Sequence, residues 1–449
     1  MNLTPVLTVI GVAAIAWAAV TSETSIQKPA RADGRVVVTY WEKWSDFEFD
    51  AMRAVVNEFN NSQDKIFVEV LSVPNITQKT LLATSGGIPP DIAGLFGGNV
   101  AQYAYNNAVI PLDEFAAEAG INRDQYIPAY YDFCTYRGQL WCLPATPAST
   151  ALHYNVDMLK AAGFDEPPKT LEDLDAMDKV IGRKDGDSLK SMGFLPTEPG
   201  WWPFAWPGFF GGKLWDGETK ITMATPENIR AYEWMGSYSQ RYGSATVSSF
   251  QEGFGTFKSP QNAFMDSKVA AVLQGVWMHN FITTFKPELN YSAAPFPYPA
   301  DRPELANSTV LDLDILVIPR GAKHPKEAFE FIKFVQSQKG MEMLCLGQKK
   351  NSPLAKTSPG FLENHPNPHI KLFQSLAFSE NAIAPPKTPI WAQWGDEIRT
   401  ATQSINSGSK TAEQAMKDVD AKMQPLLDKV IRRERALGIY PEKTSEDNN

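Results

Sequence analysis

The run Ser85-Gly-Gly-Ile-Pro-Pro-Asp-Ile-Ala-Gly-Leu-Phe-Gly-Gly-Asn99 restricts the fold more than any other stretch of the chain. A helical pattern over residues 76–85 stops at Gly86-Gly87. Pro89 and Pro90 forbid its continuation, because proline lacks the backbone N–H and clashes with the preceding turn. The apolar run 91–96, bounded by breakers, reads as a buried strand of an α/β sheet. Gly97-Gly98 end it, and Asn99 is placed to cap a helix over 100–107. Ligands of open α/β sheets bind beyond the carboxyl ends of the strands. Gly98 and Asn99 therefore fall where a ligand would lie, although an ordinary tight strand-to-helix turn has the same pattern.

Strand and helix patterns alternate along the rest of the chain. Strands are expected over 35–40, 66–71, 150–154, 268–274, 290–295 and 312–318. Helices are expected over 49–60, 112–119, 156–162, 170–181, 225–238, 261–266, 326–336, 369–377, 391–406 and 411–437. This is an α/β class. With 449 residues the chain is too long for one core in most folds. Irregular stretches at 144–149, 307–312 and 353–359 divide it into two lobes, each discontinuous in sequence. Such lobes enclose a cleft that closes by a hinge.

The net charge of −9 argues against a nucleic-acid partner. The 12 Trp, 14 Tyr and 25 Phe suit flat, partly apolar ligands such as sugars, or a large aromatic core. Residues 6–20 are uninterruptedly apolar, short for a spanning helix and right for the core of an export signal. Ala30-Arg31-Ala32 fits a cleavage site, so residues 1–32 read as a signal peptide or an uncleaved N-terminal anchor. Residues 441–449 read as a disordered tail. Cys134 and Cys142 flank a hairpin and are equidistant from Gly138. They can face each other, and an oxidising compartment permits a disulfide between them. No cysteine or histidine spacing resembles a metal site, and no cofactor motif is present.

Taken in order, these pieces resemble the extracellular solute-binding proteins of bacterial carbohydrate ABC importers, the maltose-binding-protein-like family. The resemblance rests on Tyr40-Trp41, Ser85–Asp91, Ala108-Val-Ile-Pro-Leu-Asp113 and Tyr136-Arg-Gly-Gln-Leu-Trp-Cys-Leu-Pro144. Leu152-His-Tyr-Asn-Val-Asp-Met-Leu159, Gly275-Val-Trp277, Phe296-Pro-Tyr-Pro299 and the run 323–334 continue it. It implies a periplasmic-binding fold of the second topological type. One lobe would hold 33–144 and 312–356, the other 149–308 and 360–440. It implies a monomer, with a membrane permease as partner and a periplasmic or extracytoplasmic location.

Carried over motif by motif, the resemblance places Trp41, Glu42, Trp44, Gly98, Asn99, Tyr154, Trp201, Trp202, Trp277, Asp312 and Trp391 at the ligand. Sugar C–H faces stack on aromatic rings, and hydroxyl pairs donate to carboxylates. Each residue also has a plainer reading, the tryptophans as core and the carboxylates as solvated surface. Two other functions remain open. A secreted glycosidase would use Glu42 and Asp312 as its carboxylate pair. A sugar-sensing module for a membrane sensor would use the same cleft and hinge.

Overall fold

A computed structural model describes residues 34–438; the proposed export segment and tail lie outside them. Twelve strands are present among the described residues. They are β1 (Val36–Glu42), β2 (Ile66–Ser72), β3 (Ile92–Phe96), β4 (Thr135–Tyr136), β5 (Gln139–Leu140) and β6 (Leu143–Asn155). Then follow β7 (Arg183–Asp185), β8 (Ser188–Phe194), β9 (Val269–Gly275), β10 (Tyr291–Ala294), β11 (Thr309–Val317) and β12 (Ala382–Ile383). The main sheet runs β2-β1-β3-β11-β6-β9-β8-β7, with β10 on β6 and β12 on β11. β4 and β5 form a separate hairpin.

β1 pairs in parallel with β2 and β3, and β8 in parallel with β9. Between these parallel ends, β11 and β6 are antiparallel to each other, β11 to β3 and β6 to β9.

The apolar side chains gather in two large clusters. The first takes Val38 to Ala145 and then Leu311 onward to Leu354. The second takes Leu152 to Val310 and then Ile390 to Ile431. The changeover falls inside two continuous strands, between Ala145 and Leu152 on β6 and between Val310 and Leu311 on β11. The irregular reading of 144–149 therefore hides the longest strand in the protein. Every residue from Leu143 to His153 is buried, so no face alternates with solvent and no period shows.

The second lobe's expected 360–440 span also differs from the packing. Phe361 and Ala377 sit in the first cluster. Ile370, Phe373 and Leu376 form a third, small cluster with Ala148, Ala151 and Val276. The segment is pinned at the junction by His365, which contacts the Lys350 carbonyl, and by Asn367, which donates to the Val276 carbonyl. Other helices are found near their expected places, among them Asp46–Ser62, Ile76–Ser85 and Trp391–Asn406. Helices Ser244–Glu252, Met278–Phe285 and Gln338–Gln348 were not legible in the sequence, and 261–266 forms turns instead of a helix.

The lobes also meet at the far end of the chain. Glu434, fully buried in the last helix Ala412–Ala436, accepts from Arg137 Nη2 at 2.6 Å and from the Tyr136 hydroxyl. Both donors lie on the β4–β5 hairpin of the first lobe. The hairpin does not carry the expected disulfide. Cys134 and Cys142 are buried free thiols. Cys134 closes the helix Pro128–Phe133, and its Sγ donates back to the Tyr130 carbonyl at 3.6 Å. Burial pushes the Cys142 thiol up, and the neighbouring Cys134 adds to the shift.

Candidate ligand-binding cleft

A cavity of about 450 Å³ lies between the two clusters, a usual size for a small-molecule site. Its first wall comes from strand ends of the first lobe. Phe96 closes β3, Gly98 and Asn99 follow it, and Trp44 follows β1. Gly97 has no room for a side chain, since a Cβ there would come within 2.9 Å of the Leu313 carbonyl. Asn99 stands at the N-terminus of the helix Val100–Tyr105, but its side chain makes no cap bond.

The facing wall is aromatic. Trp201, Trp202 and Phe204 come from an irregular segment, Phe257 from another, and Trp277 from the turn after β9. Trp391 opens the helix Trp391–Asn406, and Phe281 lies on Met278–Phe285. The Trp202 and Trp277 rings stack at 6.2 Å, and Trp201 meets the Phe257 ring edge-on at 4.5 Å. Gly275 makes the Trp277 position possible, because a Cβ there would lie 2.4 Å from its ring carbons. Trp201 keeps 42% of its surface exposed, an aromatic face left uncovered at the cavity mouth.

The floor is the β6–β11 crossing, with Thr146, Ala148, Asp312 and Asp314. Asp314 is saturated. Its Oδ2 accepts from Trp44 Nε1 at 2.9 Å and from the Thr146 hydroxyl at 2.9 Å. Lys350 Nζ lies 3.3 Å from Oδ2, and Lys43 Nζ lies 3.3 Å from Oδ1. Lys350 also binds Glu48 at 2.8 Å. Burial alone would raise the Asp314 carboxyl, but Lys43 and Lys350 bring it below its ordinary value. Burial would likewise lower the Lys350 ammonium, but Glu48 and Asp314 hold it above its ordinary value.

Asp312 is different. It has no ion pair among the described residues, and its Oδ1 accepts only from the Leu313 N–H at 2.8 Å. Burial and the neighbouring Asp314 push its carboxyl up. It lines the cavity with Asp314 but shares none of that residue's lysine partners. Among the described residues no group of three or more His, Cys, Asp or Glu is placed to hold a metal ion.

Two lobes thus enclose a cleft lined by aromatic rings on one side and by buried, ion-paired groups on the other. The sequence profile described as bacterial extracellular solute-binding protein matches residues 48–342. The chain belongs to that family.

Relatives of this solute-binding protein agree with the assignment. An arabinooligosaccharide-binding protein of Bacillus subtilis is 23% identical over 71% of this chain and 74% of its own. An uncharacterized ABC transporter extracellular-binding protein of Pyrococcus horikoshii is 23% identical over 75% of this chain and 79% of its own. A protein solved with mannotriose bound superposes with a TM-score of 0.76 at 25% identity, covering 86% of this chain and 99% of the other. The MalE protein of Xanthomonas citri matches with a TM-score of 0.72 at 20% identity, over 89% and 98% of the two chains, a likeness of fold. The solute-binding protein thus has the two-lobed mixed α/β architecture expected of it.

Of the residues that the sequence points to, the cleft gathers Trp44, Gly98, Asn99, Trp201, Trp202, Trp277, Asp312 and Trp391. Three lie elsewhere. Glu42 shares the inward face of β1 with Val38 and Tyr40, by the two-residue period of a strand. There it sits over Gly94, accepts from the Tyr40 hydroxyl, and accepts from the Lys43 N–H at 2.7 Å. Trp41 points the other way and packs on the first cluster. Tyr154 is six residues past Ala148 along β6, about 20 Å by strand rise. It pairs there with Ser292 and Ala271. The sequence reading also missed Lys350, Glu48, Phe257 and Lys258. They come from distant segments, and no local pattern announces them.

Proposed function

We propose that this solute-binding protein is the substrate-binding component of an ABC importer and holds a neutral sugar or oligosaccharide in the cleft. The observation that carries this is the pairing of five tryptophans with one carboxylate, Asp312, that has no ion pair among the described residues. Rings take the C–H faces of a sugar, and a carboxylate takes two of its hydroxyls. The relatives that bind arabino-oligosaccharide and mannotriose support a carbohydrate ligand. Saturation of Asp314 by two lysines, an indole and a hydroxyl counts against a free anion-binding centre at the floor.

The same details favour binding over hydrolysis. A glycosidase would need a second carboxylate facing Asp312 across the sugar. Glu42 is outside the cavity, and Asp314 and Glu48 are committed to lysines. The lobes would be 33–144 with 312–356, and 149–308 with most of 360–440. β6 and β11 would be the hinge strands, since each passes from one cluster to the other. The protein would act as an exported monomer, free or tethered by its N-terminal segment, and hand its ligand to a membrane permease.

The test is a thermal-shift and calorimetric screen with mannotriose, maltotriose and arabinotriose. A ligand that binds only the folded state raises Tm by mass action. One sugar class should shift Tm and be recovered intact after long incubation. No shift with any sugar would overturn the carbohydrate reading, and sugar breakdown would replace binding with hydrolysis.

A further inference from the structure

Much of the aromatic wall comes from two segments without regular secondary structure. Residues 195–204 carry Trp201, Trp202 and Phe204, and residues 253–262 carry Phe257 and Lys258. Short backbone turns, such as the Gly255 N–H to the Gln261 carbonyl at 3.1 Å, close each segment on itself, and side chains join one segment to the other. Asn262, 1% exposed, is the hub. Its Oδ1 accepts from the Phe264 and Met265 N–H groups at 3.0 and 3.3 Å, fixing the approach to β9. Its Nδ2 donates to Glu198 Oε1 at 3.0 Å, in the other segment. Gln251 donates to the Thr197 hydroxyl beside this bond, and Trp201 meets Phe257 edge-on beyond it. At the tip, the Lys258 ammonium crosses the cleft to lie 5.7 Å from the Trp44 ring of the first lobe.

We propose that Glu198 and Asn262 are the positioning residues of this wall: their bond joins the loop of Trp201 and Trp202 to the loop of Phe257 and Lys258. Neither residue lines the cavity. The bond makes one aromatic surface from two loops, and a surface organised in advance spares the ligand the cost of ordering it. Burial lifts the Glu198 carboxyl to about 7, against the opposing effect of the Asn262 donor. The inference rests on the sugar-binding reading only where ligand affinity is concerned.

The test uses 5-fluorotryptophan-labelled protein, Glu198→Ala, Glu198→Gln and Asn262→Ala, with mannotriose as probe. The fluorine line of Trp201, assigned by Trp201→Phe, reports the wall without any ligand. In Glu198→Ala and Asn262→Ala this line should broaden or split, while Glu198→Gln, which still accepts from Asn262, restores one sharp line. Mannotriose affinity should fall about tenfold in the two alanine variants and about twofold or less in Glu198→Gln. An unchanged Trp201 line in Glu198→Ala overturns the clamp, even if Tm falls. A Glu198→Gln variant as impaired as Glu198→Ala overturns it as well. If wild type binds no sugar, the sugar-binding reading fails, and the fluorine spectra alone decide the clamp.

Discussion

Trp44 Nε1 lies 2.9 Å from Asp314 Oδ2, so a ring at the cavity is aimed by a carboxylate at its floor. That carboxylate is in turn neutralised by Lys43 and Lys350, and Lys350 by Glu48. The first lobe's face of the cleft is one buried chain of alternating charges. Removing Lys350 leaves Glu48 buried without this cation and Asp314 with Lys43 alone.

Lys350→Met is therefore expected to lower stability by about 3 kcal/mol or more. Guanidinium unfolding measures it. A loss under 1 kcal/mol would mean that the chain of charges does not depend on this lysine.

Gly275→Ala is expected to displace the Trp277 ring, since the added Cβ would fall 2.4 Å from it. Ligand affinity should drop about tenfold or more, by loss of a stacking face. Calorimetry with the best sugar from the screen checks this, and Trp277→Ala should match it.

Four of the five histidines gather around Tyr291 and the third cluster, namely His153, His279, His365 and His369. Burial lowers His153 to about 3 and His279 and His365 to about 4. His369 is lowered too. The unfolded chain then takes up protons that the folded chain refuses. Their contribution is complete above pH 6.5, the unfolded value, and is lost as pH falls towards 4. Tm should decline over that window, and His279→Gln should flatten the decline.

Cys134, Cys142 and Cys345 are buried thiols. A thiol reagent should titrate none of them in the folded protein and all three in guanidinium without reductant. One titratable thiol would show that Cys134 and Cys142 are bonded after all.

Glu434→Ala is expected to cost about 3 kcal/mol, because Arg137 and Tyr136 lose the buried carboxylate that joins the lobes at this end. Denaturation against wild type measures it.

Much of this was legible in the chain. Breakers marked β3 and its glycine turn, and the helix Trp391–Asn406 was read at its true ends. Local sequence determines such features, since turn chemistry and periodicity act over a few residues. Trp277 was singled out through the resemblance at Gly275-Val-Trp277, and the structure adds that a Cβ on Gly275 would meet its ring. Other features were not legible. Glu42 and Asp312 are both acids on strands, yet one is sealed over Gly94 and the other faces the cavity. Glu434 stands among the arginines of the last helical turns, yet it makes a buried pair with Arg137, 297 residues away in sequence. Lys350 meets Asp314 and Glu48 only when β11 is laid beside β6 and the helix Gln338–Gln348 against Asp46–Ser62. The sequence by itself determined the alternation of strands and helices, the breakers and the supply of rings. Which ring lines the cavity, and which acid is tied up in ion pairs, were decided only by tertiary packing. Burial and pairing depend on neighbours that the chain brings together from hundreds of residues apart.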